Sequence, residues 1–228
     1  MVWEVLGQMP NWCQNEITVS GDDDAVKEFI EFVRSDIPVH KRCSEKFEYV
    51  FDKEGGKPEM VEKDSWCKWD DEFKDTCDKH YEDFSFQKIY PMPKDLQNTA
   101  SPARIMTEEE IKEWQAKWED NENFDSMGRP ITQKEYDELI NKYGYSNWYD
   151  WHNEHWGVKW DINVDDFDFD GWHAKYEFDT AWCPPQGIYN KLIEQFQTQI
   201  KDGKLHISWF YREEGMQFAG YLNENDSF

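Results

Sequence analysis

WYDWHNEHWGVKWDINVDDFDFDGWHAKYEFDTAWC, residues 148–183, is the stretch whose reading decides the fold of this 228-residue chain. It carries six of the thirteen tryptophans, Trp148, Trp151, Trp156, Trp160, Trp172 and Trp182, interleaved with acids. The aromatic rings can build a core, and the carboxylates cannot enter it unpaired. Ser146 is placed to cap a helix running to about His155. After Gly157 the periodicity changes: Trp160, Ile162 and Val164 alternate with other residues, and so do Tyr176, Phe178 and Thr180. Asp170-Gly171 between the two runs is a turn signal. The stretch therefore reads as the hinge between a helical insertion and a final sheet.

Toward the N-terminus, residues 1–10 read as a short leader. Ile17 and Val19 alternate with Glu16 and Thr18, which predicts a strand over 12–19 closed by Ser20-Gly21. Asp22, Asp23 and Asp24 stand where a helix N-terminus favours negative charge. Val26, Phe29, Ile30 and Val33 follow at i, i+3, i+4 and i+7, an amphipathic helix to about Arg34. Residues 36–82 form a variable excursion with a strand candidate near 47–51. Phe84, Phe86 and the run to Tyr90 alternate again and stop at Pro91-Met92-Pro93, which predicts a second strand. Thr107 with Glu110, and Thr132 with Glu135, are capping boxes ahead of apolar helical faces, and Gly144 is the stop of the second helix. These helices make residues 94–156 an insertion.

Toward the C-terminus, Pro184-Pro185 opens a helix with Ile188, Leu192, Ile193, Phe196 and Ile200 on one face, stopped by Gly203. LHISWFY, a turn at Glu214-Gly215, and MQFAGYL form a closing hairpin. Without the insertion the order is strand, helix, strand, then strand or hairpin, helix and hairpin. That order predicts an α+β, ferredoxin-like sandwich in one domain, 1–228, with a mainly antiparallel sheet and helices on one face.

Four strings carry a resemblance to a known family: MPNWCQNEITVSG (9–21), IYPMP (89–93), WGVKWD (156–161) and FDTAWCPP (178–185). In their order and spacing the chain resembles the YubB ferredoxin-like family of phages and conjugative plasmids. The resemblance places Trp12 and Asn15 in the family's first strand. It matches Trp156, Gly157, Lys159, Trp160 and Asp161 to one family string, and Thr180, Ala181, Trp182, Pro184 and Pro185 to another. Cys183 departs from the pattern, where Ser is more usual. The resemblance implies a fold and a mobile-element setting, without a reaction.

Composition bounds the chemistry. Lys and Arg number 25 against 49 Asp and Glu, a formal net charge of −24. Phosphates need Lys and Arg to neutralise them, so this balance argues against direct nucleic-acid binding and against an anionic membrane surface. It points to a basic partner. Aromatic residues make up 17% of the chain, which argues for a packed core rather than disorder. Cys13, Cys43, Cys67, Cys77 and Cys183 are odd in number and lack framework spacing, as expected of reduced thiols in the cytoplasm of a host cell. No apolar run approaches a membrane helix.

Four arrangements suggest chemistry and fall short of it. Asp161, Asn163 and Asp165 match positions 1, 3 and 5 of a calcium loop, but Asp166 and Trp172 stand where Gly and a bidentate Glu are required. Cys67, Cys77 and His80, with Cys43, lack the zinc knuckle spacing. His152, Glu154 and His155 form no known ligand repeat. His206 and Ser208 share a strand face with no third member of a triad. No metal, cofactor or catalytic residue is expected, and oligomeric state is not legible.

Duplex DNA carries one charge per ~1.7 Å, so 24 charges correspond to roughly 41 Å of duplex. A compact chain of this size is about 45 Å across. The expectation is thus a non-enzymatic, acidic interaction protein of a mobile element that blocks a basic, nucleic-acid-binding host defence protein by DNA mimicry. Asp22, Asp23, Asp24, Asp161, Asp165, Asp166, Asp168 and Asp170 are the expected contacts. The alternative is a small-ligand or glycan-binding module, enzymatic or not, with a tryptophan-lined groove in the insertion.

Overall fold

The structure, a computed structural model, describes residues 11–35, 38–40, 47–50, 59–62, 79–81, 83–118, 128–162 and 164–223. The chain divides into two units, residues 35–82 and the remainder. In chain order, β1 (Trp12–Gly21) leads into α1 (Asp23–Val33) of the larger unit. The smaller unit holds two antiparallel ribbons: β2 (Pro38–His40) pairs with β5 (Lys79–Tyr81), and β3 (Phe47–Val50) with β4 (Glu59–Glu62). The strand expected near residue 47 is β3. Cys43, Cys67 and Cys77 lie outside the described residues.

The larger unit continues with α2 (Phe86–Ile89), α3 (Glu108–Trp118), α4 (Gln133–Tyr143) and α5 (Trp148–His155). Then follow β6 (Asp166–Phe169), β7 (His173–Ala181), α6 (Gln186–Gln195), α7 (Gln197–Lys201), β8 (Leu205–Glu213) and β9 (Phe218–Tyr221). Five of these strands form one fully antiparallel sheet in the order β6-β7-β1-β8-β9. The molecule is α+β.

Alternation decides which side of the sheet is covered. Cys13, Asn15, Ile17 and Val19 of β1 are buried, as are Ala174, Tyr176, Phe178 and Thr180 of β7 and Leu205, Ile207, Trp209 and Tyr211 of β8. The apolar stripe of α1, with Val26, Phe29 and Val33, packs on this side with Ile188 and Leu192 of α6 and with Phe196. Phe84 sits at the centre, its ring 5.2 Å from Tyr176, 5.5 Å from Phe178 and 6.1 Å from Trp209. Tilted and edge-on contacts of this kind add about 0.5–1.5 kcal/mol per pair beyond burial. The side opposite the helices carries the other half of the alternation and remains open.

The structure corrects several expectations. Residues 84–90 are not a strand, because Phe86–Ile89 form the short α2. Ser85 Oγ accepts from Lys88 N at 3.4 Å, and Asp161 supplies a second cap, accepting from Phe86 N at 2.8 Å and Gln87 N at 3.1 Å. The strand expected over 160–164 begins instead at Asp166, because Asp161 is tied to residues 85–87 and the ladder with β7 starts only at the Asp166–Glu177 pair. The cap of α5 is Asn147, accepting from Asp150 N at 2.9 Å, in place of Ser146. The single helix expected between Pro184-Pro185 and Gly203 is interrupted at Phe196 and resumes as α7. The first capping box is complete, with Thr107 N donating to Glu110 at 2.8 Å and Glu110 N to Thr107 Oγ1 at 3.3 Å; at the second, Thr132 Oγ1 accepts from Glu135 N at 3.2 Å while the Glu135 carboxylate pairs with Arg129 at 2.6 Å.

Candidate functional site

The open sheet face is a grid whose rows follow from the strand register. One row runs Asp166, Glu177, Glu16, Phe210, Tyr221 from β6 to β9. The row on one side of it is Asp168, Lys175, Thr18, Ser208, and the row on the other is Asp179, Gln14, Arg212, Ala219. Strands stand about 4.8 Å apart, so each row brings its side chains within reach of one another. Asp165 joins the face beside Glu177, its N–H donating to the Glu177 carbonyl at 2.8 Å.

Like charges dominate this grid. Glu16 and Glu177 are directly opposite, a destabilising arrangement unless a cation intervenes. Lys175 supplies it, with Nζ 3.2 Å from Glu16 and 2.5 Å from Glu177, and those two carboxylates hold its pKa above the usual lysine value. At Asp179, partial burial and the nearby Asp165 charge push the pKa upward. Arg212 donates through Nε to Gln14 Oε1. Between these groups lies a hollow of about 430 Å³, lined by Gln14, Glu16, Asp165, Glu177, Asp179, Phe210 and Arg212.

One end of the sheet extends the acidic surface. Ser20 of β1 pairs with His173 and His206, and Gly21 with Leu205. The chain then enters Asp22–Asp24, where Asp22 N donates to Lys204 O at 2.8 Å. At the same end the β6–β7 turn is closed by Asp170, whose Oδ1 accepts from Trp172 N at 3.0 Å and His173 N at 2.8 Å. Those two backbone bonds hold the Asp170 pKa below the usual carboxylate range. Of the eight expected contacts, Asp166 and Asp168 lie on the open face and Asp165 at its margin. Asp22, Asp23, Asp24 and Asp170 gather at one end.

Asp161 is the exception. Its carboxylate accepts from Ser85 Oγ, Phe86 N, Gln87 N and Ile162 N at 2.8–3.1 Å, so it is a cap that holds α2. Burial of the carboxyl pushes its pKa upward against those four bonds.

The motif residues are mostly structural. Asn15, buried under the helices, donates to Cys13 O at 2.8 Å and Thr180 Oγ1 at 2.9 Å and accepts from Trp209 Nε1 at 3.1 Å. Trp156 donates to Tyr90 O at 2.8 Å and lies under the His152 ring at 3.7 Å. Gly157 takes φ +85°, and a Cβ there would meet Gln186 N at 3.2 Å. The two strings meet at this point: Gly187 N donates to Trp156 O, and Cys183 Sγ to Gly157 O. Pro184 and Pro185 are buried, and Pro185 precedes α6. Lys159 Nζ sits 3.6 Å over the exposed Trp160 ring. Trp182 holds φ +75° and donates its N–H to Asn11 O. Trp12 reaches the open face.

The tryptophans at the end of the insertion pack against one another and the two histidines, with Trp151 stacked on His155 at 4.2 Å. A hollow of about 930 Å³ in the insertion is lined by Asp95, Arg129, Glu135, Lys142 and their neighbours, with no tryptophan. Among the described residues, no group of three His, Cys, Asp or Glu could hold a metal ion, and no helix is long and apolar enough to cross a membrane. Sequence reasoning missed Glu16, Lys175, Glu177, Asp179, Phe210 and Arg212. The alternation in β7 and β8 was the signal that could have found them. Comparisons with protein-family models, with curated proteins and with solved structures find no match.

Proposed function

We propose that this chain is a non-enzymatic, acidic interaction protein that occupies a basic, nucleic-acid-binding protein by imitating the charge of duplex DNA. The observation that carries the reading is the open sheet face, where Glu16, Asp165, Asp166, Asp168, Glu177 and Asp179 stand against two basic groups, Lys175 and Arg212. Acids two residues apart on a strand are about 6.7 Å apart and neighbours across strands about 4.8 Å, the same few-ångström scale as phosphate charges. Acids on the helices, Glu28 and Glu31 of α1 and Glu108, Glu109 and Glu113 of α3, add to the far field that steers a basic partner.

The strand sequence β1-α1-β6-β7-α6-β8, with β8, β1, β7 and β6 as spatial neighbours, supports a ferredoxin-like reading with β9 added at one edge. Together with the resemblance of the four strings to the YubB family, it favours a mobile-element protein acting in the host cytoplasm against a defence protein.

The test is competition. A panel of purified basic nucleases and nucleoid proteins is incubated with labelled duplex DNA and increasing amounts of the chain. The expected result is displacement of DNA from at least one panel member, with affinity falling steeply as salt rises. Binding that ignores salt, or no displacement from any member, removes the reading.

A further inference from the structure

Charge alone would leave the face indifferent to the shape of its partner, and the distribution of exposed apolar groups says otherwise. The four most exposed large apolar side chains among the described residues are Trp172 (69%), Tyr221 (60%), Met216 (52%) and Trp12 (49%). By the strand alternation Trp12 and Tyr221 lie on the open sheet face, and Trp172 and Met216 sit in the turns at its two ends. Trp172 is at the tip of the β6–β7 hairpin, Tyr221 on β9, Met216 in the β8–β9 turn and Trp12 at the far end of β1. Ile105 and Trp160, almost as exposed as Trp12, lie elsewhere, but the most exposed apolar groups gather on this face and at its two ends, and apolar groups gathered in one region mark an interaction surface.

Hydrogen bonds fix the backbone of the turns that carry Trp172 and Met216, and a ring contact holds Tyr221. Asp170 accepts from both Trp172 N and His173 N, and its own N–H donates to His173 O at 3.2 Å, so the turn that presents Trp172 is fixed. Met216 N donates to the buried carboxylate of Glu213, which also accepts from Gly215 N at 2.9 Å. Tyr221 packs on Phe210 with ring centroids 5.3 Å apart. Aromatic groups ordered in advance lose little entropy on binding and are the usual anchors of protein interfaces.

We infer that the open sheet face is the docking surface, and that its occupant is a protein whose basic surface carries apolar recesses for Trp172 and Tyr221. This rests on the reading of the chain as an acidic interaction protein and makes that reading more specific. The acids select a cationic partner and set the approach. The aromatic border selects among cationic partners, because a surface of Lys and Arg without recesses leaves Trp172 and Tyr221 in water.

The experiment uses the full chain and the panel member that it displaces most strongly from duplex DNA. Four proteins are compared across a salt series: wild type, W172A/Y221A, D166N/D168N and E108Q/E109Q, the last altering α3. The W172A/Y221A pair is expected to weaken binding at least about tenfold with an unchanged salt slope. D166N/D168N should flatten the slope, and E108Q/E109Q should change affinity little. All four positions altered on the face are at the surface, and matching thermal unfolding confirms intact folds. If W172A/Y221A binds like wild type at every salt, or if the α3 pair weakens binding as much as the β6 pair, the docking face is overturned while the salt slope still supports charge mimicry. If wild type displaces no panel member, both readings fall.

Discussion

Asn15 shows how one polar residue is built into an otherwise apolar layer. Its amide serves three buried partners, Cys13 O, Thr180 Oγ1 and Trp209 Nε1, so β1, β7 and β8 are tied together through one side chain. Asn15→Ala leaves Thr180 and the Trp209 indole without that partner and is expected to cost about 2–3 kcal/mol, measured by urea unfolding. Asn15→Asp should be harmful too, because it replaces the donor of two of those bonds with an acceptor. His152 carries a pH signature. Enclosed by Trp148, Trp151 and Trp156, it donates Nδ1–H to Lys159 O at 2.8 Å, and burial pushes its pKa down to about 4. An unfolded histidine titrates near 6.5, so below that pH the unfolded chain binds the proton more readily. The contribution of His152 is therefore full above pH 6.5 and is lost as the pH falls toward 4, by about 3 kcal/mol at most. His152→Gln should remove this part of the profile, seen as a smaller fall in Tm between pH 7 and 5. An equal fall in both proteins would show that His152 is not the titrating group.

At the scale of elements, what was legible followed from local signals. The β1–α1 unit, the Thr107 capping box, the Thr132 cap and the closing hairpin needed only alternation, helical spacing and caps within a few residues. The two misread strands, 84–90 and 160–164, failed for one shared reason. Asp161 lies 75 residues from Phe86, and no local pattern reveals that its carboxylate will cap α2. Once made, that contact turns Phe86–Ile89 into a helical turn, burying both side chains, and draws the chain before β6 away from the ladder. The same contact removed Asp161 from the expected partner-binding acids, since composition counts a capping carboxylate and a solvated one alike. Asp161→Ala is expected to destabilise the fold by about 2 kcal/mol, through the lost cap and the unpaired Phe86 and Gln87 N–H groups. Hydrogen exchange at those two amides should accelerate selectively. Unchanged protection there would mean that α2 holds without the cap.

On the whole-molecule scale, stability and recognition pull on the same carboxylates. A net charge of −24 makes the folded chain repel itself, and the open face concentrates part of that repulsion where Asp165 faces Asp179 and Glu16 faces Glu177. Among the described residues only Lys175 bridges an opposed pair there, and exposed bridges contribute little. Added salt screens exposed charges over about 10 Å at 0.1 M, so Tm should rise when sodium chloride goes from 10 to 300 mM, the reverse of a fold held by surface ion pairs. Asp166→Asn with Asp168→Asn removes two like charges without touching the core. It should raise Tm at low salt by a few degrees, and the gain should vanish at high salt. The same double substitution should weaken docking to a basic partner, because the charges that strain the free protein are the ones a cationic surface neutralises. A double variant with lower Tm at low salt would show that these acids stabilise the sheet edge, and would remove the link between strain in the free face and its use in binding.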